Sequence, residues 1–170
     1  MPHGRDLPRV SLTIDLLRHG LSRPAGPGGD RLRELSPEGV SDLTALARRL
    51  ADEDWAPGRI FASPYQRALQ TAFLVARGAS VAAAVEPLPA LEPENEPEAV
   101  LAALAGLGVT AGHALLVGHQ PLLGLLVGHL TGTGHSLAAG ALVRIECPEG
   151  AARGAGRVVR VIAPGETGGP

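Results

Sequence analysis

The chain has 170 residues, the length of one ordinary domain, and its 45% hydrophobic content is enough to bury a sizeable core. A net charge of −2 and only 2% aromatic residues exclude a general polyanion binder and the stacking platforms used for single-stranded nucleic acid. All 15 basic residues are Arg and there is a single Cys, which excludes lysine-based phosphate loops and Schiff bases, disulfide frameworks and four-thiolate zinc sites.

Val10 to Leu17 reads as a buried strand that stops at Arg18-His19-Gly20. A loop rich in Gly, Pro and Arg follows, from Leu21 to Leu35. Ser36-Pro37-Glu38 signals a helix start, with Ser as cap, Pro at the first helical position and an acid in the first turn. Val40, Leu43, Leu46, Ala47 and Leu50 recur at helical spacing behind it. Pro57-Gly58 precedes a short strand, Arg59 to Ala62. Ser63-Pro64 repeats the cap-plus-proline signal and predicts a second helix with Tyr65, Ala68, Leu69, Ala72, Phe73 and Ala76 on its apolar face, and Arg67 beside that face in the first turn.

A weak strand is expected around Val81 to Val85, then a Pro/Glu-rich segment to Pro97 and a third helix over Glu98 to Leu107. His113 to Gly118 is the second clear buried strand and runs into His119. Pro121 opens a fourth helix that is apolar nearly all round, hence covered on several sides. Ala141 to Glu146 and Arg157 to Ile162 form a closing strand pair. The alternation predicts an α/β domain, residues 1–170 with a core over about 10–163, in which a largely parallel sheet lies between helical layers. The polar N-terminus, Met-Pro-His-Gly-Arg-Asp, has no apolar segment behind its charges, and no run reaches membrane-spanning length. A soluble cytoplasmic protein without membrane or nucleic-acid partners is expected.

Ligands of open α/β sheets bind beyond the carboxyl ends of the strands. If the two clear strands are neighbours, Arg18, His19 and His119 share one pocket, and the helix after Ala62 adds Arg67 and a positive helix N-terminus. Arginine forks match phosphate oxygens, and a neutral imidazole nitrogen is a competent nucleophile towards phosphorus. Each His taken alone reads equally as a hydrogen-bonded rim residue; the joint pattern is what carries the reading.

That pattern resembles the histidine phosphatase (phosphoglycerate mutase-like) superfamily, and most of all its small SixA-type phosphohistidine phosphatases. The family's strand into R-H-G is matched by Leu16-Leu17-Arg18-His19-Gly20. D-x-x-R-x-L-S-x-x-G is matched by Asp30, Arg33, Leu35, Ser36 and Gly39, and S-P-x-x-R-A-x-x-T-A by Ser63, Pro64, Arg67, Ala68, Thr71 and Ala72. V-G-H-x-P is matched by Val117, Gly118, His119 and Pro121, and the closing strand by Ala139-Gly140-Ala141-Leu142. The resemblance implies a three-layer α/β/α sandwich of the phosphoglycerate mutase-like type. It also implies a metal-independent phosphatase without cofactor, acting through a phosphohistidine at His19. Arg18, Arg67 and His119 would surround the phosphoryl oxygens, with Ser22 as a further phosphate-binding candidate. Asp30 and Arg33 read as a charged pair bracing the loop.

Relatives acting on esters place an acid after the third strand; Glu86, Glu92, Glu94 and Glu96 crowd that region, and Glu92 fits best, unless the cluster is simply a solvated loop. An imidazole leaving group needs no strong dedicated acid, whereas an alkoxide does. The expected substrate is therefore protein phosphohistidine. The alternatives are a small-molecule phosphomonoesterase or mutase, or a non-catalytic module that binds phospho-ligands.

A second phosphatase pattern competes: Cys147 to Arg153 fits C-x-x-G-x-x-R. Pro148 has no N–H to offer a phosphate, Glu146 would raise the thiol pKa, and no helix follows. The segment reads as a hairpin turn. His3, His113, His129 and His135 show no metal-ligand spacing, so no metal is expected.

Overall fold

A computed structural model describes residues 11–166. Val10 and His3 lie outside this range. The first strand, β1 (Leu12–Arg18), is followed by a loop with one 3-10 turn at Asp30–Leu32, then α1 (Pro37–Asp52), β2 (Arg59–Ala62) and α2 (Gln66–Gly78). Next come β3 (Val85–Pro87), α3 (Pro97–Gly106), β4 (Gly112–Gly118), α4 (Leu122–Thr131), β5 (Leu142–Cys147) and β6 (Arg157–Ile162). The six-stranded sheet has the order β3-β2-β4-β1-β5-β6. Its first four strands are parallel, while β5 and β6 are antiparallel additions.

Strand periodicity sorts the core into two layers. Leu12, Ile14, Leu16, Phe61 and Leu116 face α3 and α4, where they pack with Val100, Leu104, Leu123, Leu126 and Leu130. Leu17, Ile60, Ala62, Leu115 and Val117 face α1 and α2, against Leu43, Leu46, Leu50, Ala68, Ala72 and Val75. Each fully buried Leu contributes roughly 1.5–3 kcal/mol of transfer free energy. The result is the expected three-layer α/β/α sandwich.

The register of β1 on β4 decides where the chemistry goes. Leu12 lies opposite Gly112 and Arg18 opposite Gly118, without a shift, so His19 and His119 leave the sheet side by side. The His19 N–H bonds the Gly118 carbonyl at 3.0 Å, and the Ser63 N–H bonds the Val117 carbonyl at 2.9 Å. Three strand ends are thus level.

Ser36 caps α1 as expected, its hydroxyl accepting from the Gly39 N–H at 3.1 Å. A Cβ on Gly39 would stand 2.2 Å from the Leu21 carbonyl oxygen, so only glycine lets the 21–35 loop fold back onto α1. Several expectations need correction. Ser63 does not cap α2: the helix starts at Gln66 behind Tyr65, and the Ser63 hydroxyl turns to His119 instead. Arg67 and Thr71 lie on the buried face of α2, whereas Phe73, counted as apolar face, is 57% exposed. Val40 is likewise exposed, on the outer side of α1. The third strand lies at Val85–Pro87 and not at Val81–Val85, because Val85, Glu86 and Pro87 align with Ile60, Phe61 and Ala62. Proline is tolerated there because β3 is a sheet edge.

The apolar run of β1 also hides a charge. Asp15 is fully buried and accepts from Trp55 Nε1 (2.7 Å), from Arg144 Nε (2.7 Å) and Nη2 (3.0 Å), and lies 2.6 Å from His113 Nε2. Burial raises its pKa, but the hydrogen bonds from His113, Arg144 and Trp55 outweigh this and hold the carboxyl below its ordinary value.

Candidate active site

A cavity of about 330 Å³ opens at the level strand ends, lined by Arg18, His19, Ser22, Arg67 and His119 together with Asp30, Arg33 and Gln120. Five of the six predicted site residues therefore share one pocket. Glu92 does not line it; its neighbour Pro93 does.

His19 is 8% exposed, and its Nδ1 lies 2.8 Å from the Gly20 carbonyl, which can only accept. Nδ1 therefore carries the ring hydrogen and Nε2 keeps its lone pair, towards which Arg67 Nε donates at 3.2 Å. Burial, together with the charges of Arg67, Arg18 and Arg33, lowers the His19 pKa to about 4, against a partial opposing effect of the Gly20 carbonyl. His119 is pushed to about 3 by burial, by His19 and by Arg67. The two rings stand 5.1 Å apart, centroid to centroid, and both are neutral at pH 7. Ser63 Oγ meets His119 Nε2 at 2.8 Å, and Tyr65 packs edge-on against the His119 ring.

Arg67 is held by both ends of the loop residue Asp30. Its Nη1 donates to the Asp30 carbonyl at 2.8 Å and its Nη2 to the Asp30 carboxylate at 3.2 Å. Asp30 also pairs with Arg33 at 3.0 Å, the expected brace, and Arg33 Nε donates to the Arg23 carbonyl. Arg33 first, and Arg67 after it, keep the Asp30 carboxyl below its usual range. On the other wall, Arg18 Nη1 donates to the Leu137 carbonyl at 2.9 Å, while its Nε is buried with no hydrogen-bond partner. Thr71 ties the turn to α2: its hydroxyl accepts from the Gly20 N–H (3.1 Å) and donates to the Arg67 carbonyl (2.7 Å).

Glu92 forms a two-pronged ion pair with Arg31, at 3.0 and 3.2 Å, and that partner holds its carboxyl below the ordinary value. Arg31 in turn lies over the Tyr65 ring. Cys147 is fully buried opposite Leu12, at the far end of β1 from Arg18, and burial raises its thiol pKa. The competing cysteine motif is thus remote from the cavity. Among the described residues, no group of three or more His, Cys, Asp or Glu is arranged to hold a metal ion, and no helix is long and apolar enough to cross a membrane.

The contacts of Asp30 with Arg67, of Ser63 with His119 and of Thr71 with Gly20 and Arg67 were not assigned from the sequence. All three fall inside matched motif blocks, which was the available signal.

Electrostatically, the pocket gathers three guanidiniums around two neutral imidazoles, with the N-terminus of α2 adding positive potential. Such a set binds a compact oxyanion and presents one imidazole lone pair to it. Residues 14–92 match the model of the histidine phosphatase superfamily, branch 1. The protein histidine phosphatase SixA, solved with tungstate, is 27% identical, with a TM-score of 0.79 over 89% of this chain and 97% of that one. A SixA-type protein from Nakamurella multipartitia shares 21% identity and a TM-score of 0.76 over 94% of this chain and 99% of that one. Phosphoglycerate mutase of Bacillus anthracis str. Sterne shares 18% and a TM-score of 0.64 over 89% and 92%, which shows the common fold. No curated protein sequence matches the chain significantly. With strand order, pocket and motif blocks in agreement, the chain has the phosphoglycerate mutase-like fold, is similar to the histidine phosphatase superfamily over residues 14–92, and is a phosphatase.

Proposed function

We propose that the protein is a phosphohistidine phosphatase, one catalytic domain acting on phosphorylated protein in the cytoplasm, with His19 as nucleophile. Nε2 of His19 attacks phosphorus as the bond to the leaving nitrogen breaks. Water then attacks the phosphohistidine, the P–Nε2 bond breaks, and inorganic phosphate leaves with His19 restored. Arg18, Arg67 and His119 stabilise the charge on the equatorial oxygens in both steps, the main catalytic task in phosphoryl transfer. Ser22, which lines the same cavity, would add a further oxygen contact.

One observation carries the choice of substrate. Among the described residues lining the cavity, Asp30 is the sole carboxylate, and Arg33 and Arg67 keep it ionised; Glu92 is tied to Arg31 outside. An alkoxide must be protonated on the oxygen that departs, and no poised acid stands there. Phosphohistidine takes its proton on the distal ring nitrogen, from solvent, and leaves as neutral imidazole. The chain between α2 and β3 is also only residues 79–84, too short for a lid that would grip a small ester. The similarity to SixA, a protein histidine phosphatase, supports the same choice.

Side-by-side kcat/KM values on a phosphohistidine-bearing protein and on phosphoglycerates or sugar phosphates test it. Faster phosphohistidine cleavage is expected. Turnover of a small ester without phosphohistidine cleavage would overturn the substrate assignment and leave a small-molecule phosphatase.

A further inference from the structure

His119 carries only one ring hydrogen at neutral pH, so its usefulness to a phosphoryl oxygen depends on which nitrogen holds it. Nδ1 faces the cavity side, 3.5 Å from Arg67 Nη2, and Nε2 points back to Ser63 Oγ at 2.8 Å. Ser63 is fully buried, and its Oγ already accepts from the Tyr65 N–H at 3.3 Å. If Nε2 donated to Ser63, the hydroxyl would hold two donors and its own hydrogen would have no acceptor among its contacts. A buried hydroxyl hydrogen left unmade is unfavourable. In the opposite arrangement both contacts of the hydroxyl are satisfied: it accepts from the Tyr65 N–H and donates to Nε2.

We propose that Ser63 is a positioning residue whose hydroxyl donates to His119 Nε2 and so keeps the single His119 hydrogen on Nδ1, aimed at the phosphoryl pocket. This sets Nδ1–H 3.5 Å from the Arg67 Nη2 donor, so that two donors face the same space. A bound oxyanion accepts from both at once. The tautomer that sets two donors side by side is therefore the one suited to an oxyanion. The Ser-Pro at the end of β2 serves the neighbouring strand's histidine, which explains why it does not cap α2. This inference rests on the pocket being the phosphoryl site described above.

The test is nitrogen-15 NMR of the histidine rings in the ligand-free protein at pH 7.5, with His19→Ala used to assign the signals. The expected result is a protonated Nδ1 and bare Nε2 on His119. In Ser63→Ala the ring becomes a mixture of tautomers, inorganic phosphate binds about tenfold more weakly, and kcat/KM drops by a similar factor. A protonated Nε2 in the wild-type ring overturns the proposal, as does a Ser63→Ala protein with unchanged tautomer and phosphate affinity. The nucleophile assignment fails separately: a His19→Ala protein that turns over like wild type sinks it, while the His119 tautomer still reports on Ser63.

Discussion

Removing the Arg67 side chain tests the pocket at its most connected point. The guanidinium reaches His19 Nε2 at 3.2 Å, the Asp30 carbonyl at 2.8 Å and the Asp30 carboxylate at 3.2 Å, and only 6% of the side chain is exposed. It sits in the first turn of α2, where the helix dipole adds to its charge. Loss of one such charged donor from a largely dry pocket removes ~3 kcal/mol of transition-state stabilisation, about a hundredfold in rate. Arg67→Ala is therefore expected to lower kcat/KM about a hundredfold on any phosphorylated substrate. Arg67→Lys is expected to recover only part of this, because one ammonium cannot span partners that Nε, Nη1 and Nη2 reach separately. Steady-state kinetics, with circular dichroism to confirm an intact fold, measure both. An unchanged kcat/KM in a folded Arg67→Ala protein would remove Arg67 from the site. Full activity in Arg67→Lys would show that charge alone matters and that the fork does not.

His19→Ala is expected to abolish turnover, while Cys147→Ser leaves it nearly unchanged and excess EDTA has no effect; an active His19→Ala with a dead Cys147→Ser reverses the choice of nucleophile. Glu92→Gln is expected to leave phosphohistidine hydrolysis within about twofold, because it disrupts a partly exposed ion pair outside the cavity, and to slow ester hydrolysis more. Large and equal losses on both substrates would make Glu92 the general acid. Asp15→Asn removes the anion that holds half-buried Arg144 and His113, a loss of about 3 kcal/mol and a Tm lower by roughly 10 °C in a thermal melt; an unchanged Tm refutes it. His19 is expected to titrate near pH 4 in an NMR titration, and a midpoint near 6.5 would show that the pocket does not disfavour the charged ring. Because both site histidines have folded pKa values below 6.5, the unfolded chain binds more protons below that pH, so stability falls as the pH drops from about 6.5 towards 4.

The sheet and its helices were legible because burial is periodic. Two apolar strands ending in His, helices spaced by threes and fours, and the Ser36-Pro37 start each follow from local sequence. Failure came where a polar residue does a core residue's work. Hydrophobic periodicity counts residue types, so it sets Arg67 beside the apolar face of α2 and passes over Thr71, although both are buried on the inner side of the helix. Ser63-Pro64 carries a true capping signature, yet the hydroxyl is claimed by a histidine 56 positions away. Asp15 was invisible for the same reason: its partners Trp55, His113 and Arg144 converge only after β4 and β5 pair with β1. Arg18, His19, Arg67 and His119 line one cavity because they stand at strand ends or in the first turn of a helix, positions fixed by the fold's winding.

The pocket holds its donors in unequal ways, and this asymmetry fits an oxyanion site. Arg67 is engaged by Asp30, a carboxylate from a solvent-facing loop whose side chain is 54% exposed, so the partner can be exchanged at little penalty. Arg18 is anchored by one bond to Leu137, and its buried Nε has none. Leaving such a donor unmade costs about 1–3 kcal/mol, a strain that folding tolerates only where something else can relieve it. His19 and His119 stay neutral because burial first, and the guanidiniums of Arg67 and Arg18 beside both rings, disfavour a further positive charge. That neutrality is what preserves a lone pair on His19 Nε2. In the proposed mechanism the arginines therefore do two things at once: they attract the phosphoryl dianion, and with burial they keep the imidazole beside it in the form able to attack.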